Sequence, residues 1–429
     1  MEMVFILLAI FIILMLLRVP IAVSMGLSSL VGFMLIGYNL TTVGSTLYTA
    51  VASTAMITIP GYIFAGSIMA NGGISKNLLE ALKGWIGHVP GGIAIVTVLA
   101  CALFAAITGS ASATIAAVGG LMIPAMKESN YKSSFSTGLV ASAGSLGILI
   151  PPSIPMILYT TIASVSVSKI FAAGMLPGLL VVVGFSVYIV IYSIIHNQKG
   201  GQVDKVNRWR KTLRAVPALL LPVAILGFIY SGVMTATEAS AFACVYAITV
   251  STLVYREYTW KKFVEAVKDA TKSTAMILWI VTACSMFSQF LTVTRVPHKI
   301  LEAVAASNLS ANGLVLICCL ILIFLGCFMD GVSIMLIAAP LMVPVVSGLG
   351  YDLIQFGIVM TMGIQVGQLT PPVGINLFQV AGMEKEPVAS VIKGAIPFLL
   401  ILATIWMIIA FVPQITDLSR SLLDRRRFE

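Results

Sequence analysis

The chain is apolar over most of its length, and its organisation lies in where that pattern runs on and where it is cut. Runs close to the roughly 20 residues that a bilayer core demands fall at 3–17, 20–38, 50–70, 170–195, 217–231, 238–255, 273–291 and 395–413, and each predicts a membrane-spanning helix. Two further apolar stretches, 91–163 and 313–382, are cut by glycine, serine and proline into pieces of about 10 to 17 residues, too short to cross singly. These predict segments that turn back or break midway: re-entrant hairpins at 91–126 and 313–346, and interrupted helices at 135–163 and 355–382. The expected fold class is an all-α polytopic membrane protein.

The two cut stretches repeat one another. A shift of 220 positions lays LMIP at 121–124 on LMVP at 341–344, Gly147 on Gly367, Pro151 and Pro152 on Pro371 and Pro372, and Pro177 on Pro397. Upstream, LEAL at 79–82 matches LEAV at 301–304 after a further shift of two, as a length change in a loop produces. Between the copies lie five crossings, at 135–163, 170–195, 217–231, 238–255 and 273–291. Five is odd, so the repeats are inverted in the membrane. The chain thus divides into 1–90, the first repeat 91–163, a middle part 164–312, the second repeat 313–382 and 383–429.

Charge sets the orientation. The net charge of +9 is concentrated in the loops 196–216 and 256–272 and in the C-terminal tail, so it reports topology and gives no reason to expect nucleic acid. Both loops belong in the cytoplasm, so the first hairpin enters from the cytoplasm and the second from outside. The same count leaves Arg425, Arg426 and Arg427 outside, against the positive-inside tendency, which terminal charges obey loosely. With 59% hydrophobic and 10% charged residues and a mean hydropathy of +1.05, a soluble globule is excluded. The N-terminus has no basic region and no small-residue cleavage site, so it reads as a first helix. Six cysteines in apolar runs, without metal-like spacing, read as buried thiols.

Broken backbone at membrane depth is tolerated only where it is buried in protein or lines a cavity, and there the freed carbonyls and half-helix ends become ligands. In the first copy GSASAT at 109–114 forms a hairpin tip facing the unwound stretch 144–153. In the second, MDGVS at 329–333 faces GQLTPPVGIN at 367–376. Hydroxyls and carbonyls suit Na+, a hard cation, and half-helix N-termini favour an anionic solute between the clamps. The plainer role for Ser110, Ser112 and Thr114 is to bond back to helical carbonyls. The plainer role for Asp330 is to cap a helix, which a ligand role does not exclude. Thr237 with Glu238 reads as a helix start, and the run 260–272 as an amphipathic helix along the cytoplasmic interface or a plain connector.

The motifs GSASATIAAVGGLMIPAM, SLGILIPPSIPMILY, GMLPGLL, TATEASAFACVY, FMDGVSIMLIAAPLMVP and GQLTPPVGINLF, in that order, resemble the large membrane subunit of TRAP transporters, the DctM-like proteins, over nearly the whole chain. Ala236 departs from the family's pattern, which commonly carries proline there. The resemblance implies an inverted-repeat, elevator-type secondary transporter of the bacterial inner membrane. A scaffold would hold a mobile domain built from the hairpins and interrupted helices. Also implied are coupling to at least two Na+, a small four-helix Q-type membrane subunit and a periplasmic substrate-binding protein. Carried over residue by residue, Gly109, Ser110, Ser112, Gly144, Gly147 and Pro151 form one sodium site, and Asp330, Ser333, Gly367, Thr370, Gly374 and Asn376 the other. The substrate carboxylate falls between the tips, with Ser110, Ser112, Thr114, Ser153, Ser333 and Asn376 as candidate contacts. Within the family the sequence is most similar to the sialic-acid branch, with C4-dicarboxylates and other organic acids open. An ATP-driven pump is disfavoured because no G-x-x-x-x-G-K-[ST] occurs. An intramembrane protease lacks its second acid or a histidine beside a serine, since His88, His196 and His298 fall in loops. A self-sufficient Na+/anion symporter of the same architecture is the remaining rival.

Overall fold

In the computed structural model, which describes residues 2–17, 19–71, 74–198, 208–256, 258–306 and 310–418, the described residues form helices and no strands. The chain opens with α1 (Glu2–Leu16), α2 (Ile21–Leu35), α3 (Leu40–Val51), α4 (Thr54–Asn71) and α5 (Ile74–Ile86). The first cut stretch follows as α6 (Gly92–Thr108), α7 (Ala111–Glu128), α8 (Ser133–Gly144) with a 3-10 turn at Ser145–Ile148, and α9 (Ile154–Ala163). Next come α10 (Val167–Ile195), α11 (Arg208–Tyr230), α12 (Ala236–Thr249) ending in a π turn, α13 (Trp260–Val293) and α14 (Val296–Ala306). The second cut stretch is α15 (Ala311–Gly326), α16 (Gly331–Gly348), α17 (Leu353–Gln368) and α18 (Ile375–Glu384), followed by α19 (Val388–Phe411). Among the described residues, six helices are long and apolar enough to cross a membrane alone, and the α3/α4 pair, bent by 48°, adds a seventh.

The duplication seen in the sequence is a duplication of structure. A shift of 220 carries α7 onto α16 end for end, and brings α8 and the start of α17, then α9 and α18, into register within a residue. The amphipathic α5 and α14 lie at the positions of the shorter LEAL and LEAV match. Each hairpin is interlocked with the opposite repeat, because α7 packs on α18 and α16 packs on α9. A buried hydrogen bond joins the copies at matched positions: Gln365 Nε2 donates to Ser145 O at 2.8 Å, and these residues are 220 apart. Helices α10 and α19 follow the two broken helices and pack against them, although α10 falls in the middle division of the sequence. The turns at 164–166 and 385–387 are too short to carry either helix elsewhere. Backbone-close packing without side chains seats α19 on α8, where any β-carbon at Gly138 or Gly394 would overlap the facing backbone.

The remaining helices form a second group, in which α2 and α4 pack on α13, and α12 packs on α4. Three expectations are corrected here. The helix start near Glu238 is capped by Thr235 and not by Thr237: Thr235 Oγ1 accepts from Glu238 N at 3.3 Å, while Glu238 Oε2 accepts from Thr235 N at 2.8 Å, a reciprocal capping box. The run at 50–70 begins earlier, because Asn39 caps an added helix, α3. The run 260–272 is no separate interfacial helix but the first part of the 34-residue α13, about 51 Å long at 1.5 Å per residue. No glycine or proline interrupts it, and Ala266 and Ala270 are buried. Five cysteines are buried, Cys244 is partly so, and all six are free thiols. The tail arginines 425–427 lie outside the described residues.

Candidate functional site

Helix ends build the site. At the first tip α6 stops at Gly109, whose left-handed φ of 62° turns the chain, and Ser110 caps α7, its Oγ accepting from Ala113 N at 3.5 Å and lying 3.2 Å from Ser112 Oγ. The facing break is held against this tip: Gly109 O accepts from Ile154 N at 3.3 Å, and a β-carbon at Gly147 would overlap Ser110 O. The second tip repeats the device with different side chains. Asp330 caps α16, its Oδ2 accepting from Val332 N at 3.0 Å and Ser333 N at 3.3 Å, and Ser333 Oγ donates to Asp330 Oδ1. Cys327 O accepts from Gly374 N at 2.9 Å, the counterpart of the bond made by Ile154. A β-carbon at Gly367, counterpart of Gly147, would lie 2.6 Å from Gly326 Cα and 3.0 Å from Leu322 O and Ile323 O. Both Pro–Pro bonds, at 151–152 and 371–372, are cis.

A cavity of about 850 Å³ lies between these clamps and the other helix group. Its polar lining comes from Thr108, Ser110, Ser112, Asp330, Gln368, Asn376 and Gln379 on one side, and from Ser67 of α4 with Asp269 and Ser273 of α13 on the other. Among the described residues no lysine, arginine or histidine lines it. Instead the first residues of four helices do: Ala111 of α7, Ile154 of α9, Gly331 of α16 and Ile375 of α18. Helix N-termini carry partial positive charge that favours an anion without a basic side chain, although Ser110 and Asp330 already accept from N–H groups of α7 and α16, and Asp269 and Asp330 bring carboxylates to the lining.

The helix C-termini supply the opposite chemistry. Both tips end a helix, α6 at Gly109 and α15 at Cys327, beside the end of a second helix in the facing break, at Leu149 and Leu369. Close approach at Gly147 and Gly367 leaves room only for backbone there, and carbonyl oxygens of Ser110, Leu322 and Ile323 crowd those positions. Helix C-termini carry partial negative charge, which favours a cation there; of the named carbonyls, Ser110 O already accepts from Thr114 N at 3.1 Å and Thr114 Oγ1 at 2.8 Å, and Ile323 O from Cys327 N at 3.1 Å. Among the described residues no cluster of histidine, cysteine and carboxylate groups could hold a transition metal.

Of the residues named from sequence, Gly109, Ser110, Ser112, Asp330 and Asn376 line the cavity. Thr114 is buried one turn inside the tip and donates to Ser110 O at 2.8 Å, the back-bonding role open to it from the start. Ser153 is a buried cap of α9 that donates to Ile148 O at 2.6 Å. Ser333 is buried against Asp330, and Thr370 Oγ1 donates to Val366 O at 2.7 Å. Gly144 packs on Ile115, while Gly147, Pro151, Gly367 and Gly374 shape the breaks. Gln368 and Gln379 were not picked out, nor were Asp269 and Ser273. An amide side chain inside an otherwise apolar broken helix was the available signal for the first two. Asp269 falls in the run 260–272, which the sequence offers as an interfacial helix or a connector, and Ser273 is the first residue of the span 273–291. Gln379 also crosses between repeats, its Nε2 donating to Ser112 O at 2.8 Å.

Comparison with known proteins agrees with this architecture. The family described as "Tripartite ATP-independent periplasmic transporter, DctM component" matches residues 8–415. The C4-dicarboxylate TRAP transporter large permease protein DctM of Pseudomonas aeruginosa is 38% identical over 364 residues, covering 84% of this chain and 85% of that protein. The isethionate TRAP transporter permease protein DctMQ of Oleidesulfovibrio alaskensis is 34% identical over 400 residues, covering 92% of this chain but 63% of that longer protein. The crystal structure of the Alcanivorax borkumensis YdaH transporter superposes with a TM-score of 0.65 at 14% identity, over 86% of this chain and 88% of that one, and so shares the fold. The chain belongs to the DctM family: it is the large, inner-membrane permease component of a TRAP transporter, and not an enzyme.

Proposed function

We propose that the chain takes up an organic acid, with sialic acid the favoured substrate, in symport with at least two Na+ ions. The hairpins and broken helices would move as a body against α4 and α13, in an elevator motion. The observation that carries this reading is one cavity faced by four helix N-termini, backed by two carbonyl-lined clamps, and closed on its far side by helices of the other group. Sodium entering the clamps would draw tip and break together and complete the anion site, so affinity for the acid would rise with sodium. Each charge carried inward gains about 2.3 kcal/mol per 100 mV of membrane potential.

The cavity's far wall includes Asp269 and Ser273, near the N-terminal, lysine-bearing end of α13 that the positive-inside tendency assigns to the cytoplasm. This supports an inward-facing arrangement. A small four-helix membrane subunit and a periplasmic binding protein complete the assembly, a reading supported by the family description and by the longer DctMQ relative. The name of the Pseudomonas relative favours a second reading, a C4-dicarboxylate permease.

The test is uptake of labelled sialic acid into proteoliposomes holding this chain and its small subunit, with and without the binding protein, under sodium or potassium gradients. Uptake requiring both sodium and the binding protein supports the proposal. Sodium-driven uptake without the binding protein points to a self-sufficient symporter, and uptake of succinate but not sialic acid points to the second reading.

A further inference from the structure

Helix α11 changes character along its length. It begins RWRKTLR, 208–214, with four cations, and then runs on as an apolar span. No acidic residue stands in its first turn, so these cations oppose the helix dipole. Trp209, Leu213, Val216, Leu220 and Val223 are exposed and recur every three or four residues, which puts them on one lipid-facing stripe. Arg210 and Arg214, exposed as well, lie one turn apart beside that stripe.

Helix α12 packs along the edge of α11 that carries these arginines. Tyr255 Oη donates to Arg214 O at 2.7 Å, and Tyr246 Oη donates to Pro217 O at 2.9 Å. Arg256 follows Tyr255 and is exposed, so a third arginine comes to the same end of the groove between the two helices. Among the described residues none of the three is in an ion pair, and like charges four apart on a helix, as at Arg210 and Arg214, repel. On the other edge the neighbouring cation is engaged: the Arg208 guanidinium lies 5.0 Å from the centre of the Trp85 ring, and Trp85 Nε1 donates to Thr212 Oγ1 at 2.8 Å. Trp85 and Trp209 meet edge to face at 5.3 Å, an aromatic pair of the kind that marks the headgroup level of a membrane.

We propose that Arg210, Arg214 and Arg256 bind the phosphate of an anionic phospholipid of the cytoplasmic leaflet, whose acyl chains lie along the exposed stripe of α11. An excess of cytoplasmic lysine and arginine by itself reports topology. That tendency does not call for arginine over lysine, nor for an apolar track running on from the charges. Guanidinium groups match phosphate oxygens in a two-pronged geometry that an ammonium does not offer. The occupant is a lipid because Val216 and Leu220, in the next turns of the same helix, are open to the membrane, and only an anion with chains buries them. The bound phosphate would offset the repulsion between Arg210 and Arg214 and hold the ends of α11 and α12 at the membrane surface.

The experiment is native mass spectrometry of the purified complex of this chain and its small subunit, titrated in detergent with phosphatidylglycerol or with phosphatidylcholine of the same chains. The expected result is binding of phosphatidylglycerol about tenfold more tightly. The double variant Arg210→Gln, Arg214→Gln should bring the two lipids within about twofold of each other. A control pair, Lys261→Gln with Lys268→Gln in the lysine-bearing first part of α13, should leave the preference within about twofold of the wild type. Equal binding of the two lipids by the wild type overturns the inference without recourse to any variant, and a small subunit seated over the groove would give that result. Equal loss of the preference in both double variants also overturns it, because the attraction would then belong to the whole cytoplasmic surface. Displacement of phosphatidylglycerol by an equal concentration of glycerol phosphate overturns it as well, since the arginines would then hold a soluble anion.

Discussion

The two broken repeats agree in backbone and differ in side chains. Ser110 and Asp330 occupy matched positions and both cap the outgoing helix of a tip, one through a hydroxyl and the other through a carboxylate that also accepts from Ser333. Gly147 and Gly367 match and both let a tip approach a break at backbone distance. Away from those points the copies part: the first break offers Ile148 and Ile154 to the cavity, the second Gln368 and Asn376. On the function proposed above, backbone geometry would be kept where both repeats bind an ion, and side chains would diverge where one asymmetric solute is read from two sides.

The sharpest way to break this comparison is to fill the matched glycines. Gly147→Val and Gly367→Val each force a β-branched side chain into backbone, costing about 1–3 kcal/mol or more, and both should abolish sodium-driven uptake; a tolerated change at either would show that the clamps are not equivalent. Next in size are the caps. Asp330→Ala removes the one oxygen that accepts from two N–H groups, and a charge, and should cost about 2 kcal/mol, against about 0.5 kcal/mol for Ser110→Ala with its 3.5 Å bond. Thermal unfolding in detergent would rank them, and equal losses would remove the distinction between the tips. Gln365→Leu should cost about 1 kcal/mol, since it leaves the buried Ser145 O without this donor.

The smallest effect tests an asymmetry of charge. Lys127 Nζ donates to Glu384 Oε2 at 2.8 Å and Glu386 Oε1 at 3.1 Å, tying the end of α7 to the end of α18, while the matched positions Ser347, Ser164 and Ser166 carry no charge. Partly exposed as it is, this clasp should contribute about 0–1 kcal/mol, read as a small fall in unfolding temperature for Lys127→Ala. Burial works to raise the Glu386 carboxyl, but hydrogen bonds from Ser133 and Lys127 outweigh it and hold the group below the usual carboxylate range. The contribution is therefore full above that usual range and is lost as pH falls through the lowered value. Wild type and Lys127→Ala should converge in acid; convergence at neutral pH instead would contradict the assignment.

The repeat was legible because glycine and proline mark backbone breaks directly, and a constant offset of 220 survives wherever loop lengths match. The tips followed for the same reason. What stayed hidden depended on tertiary placement. Thr114 and Ser153 have the right chemistry for ligands, yet both spend their hydroxyls on nearby carbonyls. Asp269 sits in a lysine-bearing run that reads as an interfacial helix or a connector, and the continuity of α13 places it in the cavity lining. Gln368 lies inside the motif GQLTPPVGIN, but its place in the cavity lining comes from how the break folds, which no sequence pattern shows.

The most direct test of the matched clamps is the initial rate of substrate uptake against external sodium concentration, in proteoliposomes with the binding protein present. Two equivalent sodium sites predict a sigmoidal curve with a Hill coefficient above 1, approaching about 2. Thr370→Val, which removes a hydroxyl beside one clamp alone, should bring it toward about 1. A hyperbolic curve in the wild type, or uptake that runs equally well on a proton gradient without sodium, would contradict the account.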